Sequence, residues 1–155
     1  MQDASKHYIN GQWVASIDGR EMAVENPSTE EKIATITLGG VADADAAVAA
    51  AKAAFPAWAV TDPWGRIAAL ERLMEVYKSR AADMAQAISF EMGAPIALAK
   101  TAQVGAGAGH LKNTIRAAKA FAFERPLVDH APGDMILYEP VGVCTLITPW
   151  NWPMN

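Results

Sequence analysis

The hydrophobic and polar positions of this chain change period more than once, and each change marks an expected element. Through "HYINGQWVASIDGREMAVENPSTEEKIATITLG", short apolar stretches alternate with polar residues and are cut by Asn10-Gly11, Asp18-Gly19 and Asn26-Pro27-Ser28. Alternation about an Asn-Gly pair predicts a hairpin at "YINGQW", then strands near Met22 to Val24 and Ile33 to Thr37. So small a ribbon needs another element to lie on.

After Gly39-Gly40 the spacing turns helical. "VADADAAVAAAKAAFPAW" predicts a helix of about three to four turns, with Asp43 in the cap position or first turn and Phe55 at its end, before Pro56. Asp62-Pro63 restarts the pattern with Pro63 at the first helical position, and Ile67, Leu70, Leu73, Met74 and Tyr77 recur at helical spacing. A break near Ser79 to Ala81 leads into "ADMAQAISFEMG", closed by Gly93. Pro95 then opens an alanine-rich helical run expected to reach Phe123, with an interruption near Gly105 to Gly109. A narrow alanine face contributes little burial energy. The expected packing residues are therefore Phe55, Trp58, Trp64, Leu70, Leu73, Met84, Ile88, Phe90, Leu111 and Ile115.

From Arg125 the period changes again. "RPLVDHAPGDMILYEPVGVCTLITPWN" contains a turn at Ala131-Pro132-Gly133-Asp134, an alternating strand "MILYEP" and a hinge at Pro140-Val141-Gly142. The following "VGVCTLIT" is a mostly apolar strand of the kind buried on both faces of a parallel sheet. One strand cannot make such a sheet, so its neighbours are expected in residues beyond Asn155, and the chain alone is expected to expose an apolar edge and fold poorly.

Composition narrows the class. The 155 residues are 52% hydrophobic, with 13 Lys and Arg against 17 Asp and Glu and a formal net charge of −4. A mildly acidic surface of this kind gives no electrostatic reason to expect nucleic acid or an anionic membrane as partner. A single cysteine, Cys144, excludes an internal disulfide framework and fits a reducing compartment. "MQDASKHYINGQW" lacks a hydrophobic signal core, and no apolar run reaches the roughly 18 residues of a membrane span. The expected location is the cytoplasm.

Candidate chemistry is sparse until the last residues. "GAGAG", Gly105 to Gly109, resembles a dinucleotide fingerprint, but His110 stands where the third glycine belongs and the preceding "APIALAKTAQV" reads as helix rather than strand. It reads instead as small residues where helices cross closely, or as a flexible interruption. Cys144, inside an apolar strand without a base or cation nearby, reads as a buried structural thiol. His7, His110 and His130 are far apart and lack ligands at metal spacing, and His110 reads as a surface or packing residue of its helix. The pairs Asp43 with Asp45 and Glu30 with Glu31 read as solvated loop or helix-start residues. Asn151 differs: it stands between Trp150 and Trp152 in a segment stiffened by Pro149 and Pro153. An amide there can donate to a developing oxyanion without titrating, or simply cap a turn.

"EPVGVCTLITPWNWPMN" closely resembles the aldehyde dehydrogenase superfamily, with "PWNWP" as the most specific marker. "YINGQWV", "ENPSTEEKIATI", "AVAAAKAAFPAW" and "SFEMGAPIALAKTAQV" extend the resemblance over the family's N-terminal third, in order and spacing. The resemblance implies an α/β fold: the N-terminal part of a Rossmann-like NAD(P)-binding domain, with an early strand of the oligomerisation arm. It implies three regions, 1–122 as cofactor-domain hairpin and helices, 123–140 as arm strand, and 141–155 as first buried strand and catalytic turn.

It further implies that Asn151 is the oxyanion-hole residue and that Ile147, Thr148, Pro149 and Trp150 contact NAD or NADP, mainly through backbone. The implied reaction oxidises a small-molecule aldehyde to a carboxylic acid through a cysteine thiohemiacetal and thioester, in a homodimer or homotetramer. The nucleophilic cysteine, the general-base glutamate and the ribose-binding lysine and glutamate are implied beyond Asn155, and Cys144 matches a packing position. The competing expectation is a non-catalytic truncated relative acting in subunit association.

Overall fold

The computed structural model describes residues 5–130 and 133–155 of the chain. Strands β1 (Lys6–Ile9) and β2 (Gln12–Ala15) pair antiparallel with Ile9 opposite Gln12. The turn between them holds Asn10 at φ 52° and Gly11 at φ 76°. Two successive positive φ values match the right-handed strand twist, which is why Asn-Gly marks the position. Tyr8 and Trp13 face each other across the hairpin with ring centroids 5.2 Å apart. A second hairpin joins β3 (Arg20–Asn26) to β4 (Glu31–Leu38), with a register shift between Val24 and Glu25. Both strands expected there are present. The Asn26 side chain accepts from the Ser28 amide at 2.9 Å and so starts the turn.

Helix α1 (Val41–Ala59) runs through Pro56 instead of ending at Phe55. Proline removes one amide and crowds the preceding turn, but Pro56 lies in the last turn on an exposed face, so one hydrogen bond is lost and the helix continues. In α2 (Pro63–Ser79) the cap residue Asp62 accepts from the Gly65 amide at 3.0 Å and Pro63 takes the first position, as the sequence predicts. Helix α3 (Ala81–Met92) ends on Gly93 at φ 74°, a left-handed cap that glycine adopts without strain. Gly93 also faces Pro27 so closely that a Cβ would lie 2.6 Å from its ring, which seats α3 on the β3–β4 turn.

The helical run after Pro95 consists of α4 (Ile96–Leu98), a π-helical stretch (Ala99–Gln103) and α5 (Val104–Ala120). Its irregularity therefore falls before the glycines, which lie within regular helix, and it stops at Ala120 because Phe121 is extended. A π turn brings residues four and five apart onto one face, and here Ala99, Gln103 and Val104 are all buried together.

Three alanines stand among the five buried residues of the core cluster. Ala85, Ile88, Ala94, Ala99 and Val104 form its centre, with Tyr77, Ala81, Met84, Met92 and Met154 packed around them. Of the large residues expected to pack, Ile88 and Met84 do so, whereas Trp58, Trp64, Leu73 and Phe90 are exposed. Alanines let the helices approach closely, and no second layer among the described residues covers the faces that carry the larger side chains.

Beyond α5, β5 (Glu124–Pro126) and β6 (Met135–Leu137) form a short antiparallel hairpin. Phe121 packs edge-on against Phe123 and Tyr138, and the Arg66 guanidinium lies 5.3 Å from the Phe123 ring centre. Of the turn expected at 131–134, Ala131 and Pro132 lie outside the described residues. The stretch "VGVCTLIT" is corrected: it forms no strand, and Val141, Leu146 and Ile147 are exposed. A strand exists only with a hydrogen-bonded neighbour, and none lies beside it among the described residues. Cys144 is therefore exposed rather than buried.

Candidate functional site

The turn at Trp152–Asn155 comes back onto α5. Asn155 donates its amide to the Trp152 carbonyl at 2.9 Å, closing a turn just after Asn151. Met154 packs against the core cluster. The Asn155 side chain is hydrogen-bonded to His110 Nε2 on α5 at 2.6 Å. Tyr77 on α2 donates its hydroxyl to the Val104 carbonyl at 2.7 Å. Burial pushes the Tyr77 pKa up, partly opposed by a backbone hydrogen bond from Ala108, so it stays a hydroxyl. Gly107 lies between the Tyr77 hydroxyl and the Met154 carbonyl, with no room for a Cβ.

This anchoring leaves the residues before it outward. Trp152 is 37% exposed and Trp150 86%. Ile147, Thr148, Pro149 and Asn151 are exposed as well, outside any helix or strand. Among the described residues the Asn151 amide has no hydrogen-bond partner. The residues singled out for oxyanion and cofactor contact are thus contiguous on one exposed segment. Their backbone groups take part in no helix or strand hydrogen bonding. Cys144 precedes this segment, with its thiol 3.8 Å from the Gly142 carbonyl. Among the described residues its recorded partner is that carbonyl, not a base or a cation.

The glycines of "GAGAG" make no phosphate loop, since all lie inside α5. Gly107 is a close-contact position, in line with the reading of small residues at a crossing. The seat made by Gly107, His110 and Tyr77 was not legible in the sequence, because its partners are brought to α5 only by folding.

A second polar cluster joins the β2–β3 loop to the start of α1. Asp43, expected to be solvated, is only 5% exposed. It accepts from the Ser16 hydroxyl, from the Ile17 amide at 2.8 Å and from the Gly40 amide at 3.0 Å. These hydrogen bonds, led by that of Ser16, hold its pKa down to about 2 against the opposing effect of burial, with a smaller contribution from His7. Asp18 answers by accepting from the Ala42 amide at 3.3 Å. This cluster shares no residue with the terminal turn.

A groove of about 810 Å³ between α2 and α5 is lined by Glu71, Arg72, Met74, Lys112 and Ile115 among others, and includes no residue of the turn. Among the described residues no three His, Cys, Asp or Glu side chains are grouped to hold a metal ion, and no helix is long and apolar enough to cross a membrane.

Residues 13–155 match the model of the aldehyde dehydrogenase family. The whole chain aligns at 40% identity with a 3-succinoylsemialdehyde-pyridine dehydrogenase from a Pseudomonas species, covering 32% of that protein. Among solved structures, a mutant of aldehyde dehydrogenase C from Pseudomonas syringae in complex with NAD+ and octanal superposes with a TM-score of 0.91 at 43% identity, over 98% of this chain and 30% of that one. An aldehyde dehydrogenase from Bartonella henselae superposes with a TM-score of 0.80 at 44% identity, over 83% of this chain and 27% of that one. The chain spans about a third of the length of the curated relatives it matches.

Proposed function

The chain belongs to the aldehyde dehydrogenase family, and we propose that it carries the oxyanion-binding amide and the cofactor-facing turn of an NAD(P)-dependent enzyme that oxidises an aldehyde to a carboxylic acid. Because it spans about a third of its relatives' length, the reaction is proposed for a protein of the relatives' length that contains it. The observation that carries the reading is the Asn151 amide, exposed and uncommitted on a proline-stiffened turn whose far end is tied to α5.

A thiolate contributed from outside this chain adds to the aldehyde carbon as the carbonyl π bond breaks, and its negative charge passes to the former carbonyl oxygen. The Asn151 N–H is held ready to donate to that oxygen, and because the turn is already rigid little reorganisation is needed as the charge develops. NAD or NADP, when bound, supplies the hydride acceptor. Ile147, Thr148, Pro149 and Trp150 are the residues that would hold it, mainly through their backbone groups. As the carbon releases hydride and becomes an acyl carbonyl again, the Asn151 contact weakens. Thioester hydrolysis is assigned to water activated by a glutamate that this chain does not supply.

The same reading assigns 1–122 and 141–155 to the cofactor domain and 123–140, with the β5–β6 hairpin, to an arm that joins subunits into a homodimer or homotetramer. A cytoplasmic location fits the absence of cysteine pairs. The test follows NAD(P)H at its near-ultraviolet absorbance with aliphatic and aromatic aldehydes, comparing the 155-residue chain with a protein of the relatives' length that carries it. Activity confined to the longer protein is expected. No activity in a folded longer protein contradicts the reading and favours a non-catalytic role in subunit association.

A further inference from the structure

We propose that Gly107, His110 and Tyr77 form a seat on α5 and α2 that fixes the turn carrying Asn151, making Gly107 and His110 positioning residues for the oxyanion donor. The inference rests on the role proposed for Asn151 and adds the residues through which that role is held.

Three observations converge. A Cβ at Gly107 would run into the Met154 carbonyl and the Tyr77 hydroxyl, while a Cβ at Gly105 or Gly109 would meet nothing within 4 Å. One glycine of the three is therefore required by contact, and its contact is the turn itself. The Tyr77 hydroxyl cannot simply swing away, since it is held by the Val104 carbonyl at 2.7 Å. On the next turn of α5, His110 Nε2 is hydrogen-bonded to the Asn155 side chain at 2.6 Å, and between these two points Met154 packs against the core cluster.

The chain from Asn151 to Asn155 is short, and Pro153 together with the Trp152–Asn155 hydrogen bond removes most of its freedom. A shift of Met154 or Asn155 is therefore passed to Asn151 rather than absorbed. Displacement of a reacting group by about 1 Å can lower a rate on the order of a hundredfold. The seat thus acts on the chemical step, through the placement of an amide it does not touch.

The test uses the protein of the relatives' length that carries this chain. Gly107→Ala and His110→Ala are expected to lower kcat by roughly ten- to hundredfold with NAD+ affinity unchanged. Gly105→Ala and Gly109→Ala are expected to keep the parent kcat. Amide hydrogen exchange should rise across 150–155 in the two seat variants and stay at the parent level elsewhere. In an Asn151→Ala background, Gly107→Ala should change kcat by less than about twofold, because the amide it positions is gone. A merely structural role would reduce activity equally in both backgrounds, and that result overturns the proposal.

If Gly107→Ala does not fold, His110→Ala, which introduces no clash, carries the same comparison. Parent-level kcat in the seat variants, with a large loss in Asn151→Ala, overturns the seat and leaves the reading of Asn151 intact. Parent-level kcat in Asn151→Ala overturns both.

Discussion

The Ile17 amide donates to Asp43 Oδ1 at 2.8 Å, tying the loop between the two N-terminal hairpins to the first turn of α1. Ser16 and the Gly40 amide complete the carboxylate's partners, and Asp18 binds the helix start in return. A charged group placed at a helix N-terminus is favoured by the dipole and by the unpaired amides there. Asp43 therefore acts as a clasp between hairpin and helix.

Removing it should loosen that junction. Asp43→Ala is expected to lower Tm at neutral pH. Because the folded-state pKa lies at about 2, below the ordinary value of 3.8, the stabilisation is complete above the ordinary value and is lost as pH falls through it toward 2. The Tm difference between parent and variant should shrink over that range, and a difference that is constant with pH contradicts the clasp.

Close approach makes a separate prediction at the same junction. A Cβ on Gly40 would collide with the Asp18 carboxylate, whereas one on Gly105 would stand in open space. Gly40→Ala should destabilise, and Gly105→Ala, inside a regular helix, should stabilise by up to about 1 kcal/mol. Chemical denaturation of the two variants reads the opposite signs directly.

Local chemistry made much of the fold legible. Asn10-Gly11, Asp62-Pro63 and Gly93 each demand a backbone conformation that few sequences satisfy, and each stands where its signal predicts. What depended on distant partners was not legible. Asp43 looked like an ordinary first-turn carboxylate because Ser16 and Ile17 are far off in sequence. Pro56 looked like a stop because nothing local shows how little one lost hydrogen bond matters in a last turn. Alanine-rich faces gave no hint that Trp58, Trp64 and Phe90 would turn outward. At the candidate site, the roles proposed for Asn151 and residues 147–150 come from the terminal motif, whereas the contacts of Gly107 and His110 carry no sequence signal, since only folding brings Met154 and Asn155 to them.

Exposure of Cys144 gives a chemical readout. The thiol lies in an apolar stretch that has no strand partner among the described residues. In the 155-residue chain it should react with an aromatic disulfide reagent without denaturant, at one thiol per chain. In a protein of the relatives' length, where 141–155 is proposed to pack within the cofactor domain, it should be protected. Equal reactivity in both would contradict that packing.

The central claim is that Asn151 holds the oxyanion. Its most direct test is the turnover number of Asn151→Ala against the parent, in the protein of the relatives' length, with an accepted aldehyde and saturating NAD+ or NADP+. Loss of one such donor corresponds to roughly 3–4 kcal/mol, so kcat should fall by about a hundred- to a thousandfold, with Tm and cofactor affinity close to the parent's. Turnover near that of the parent in a folded variant would contradict the account.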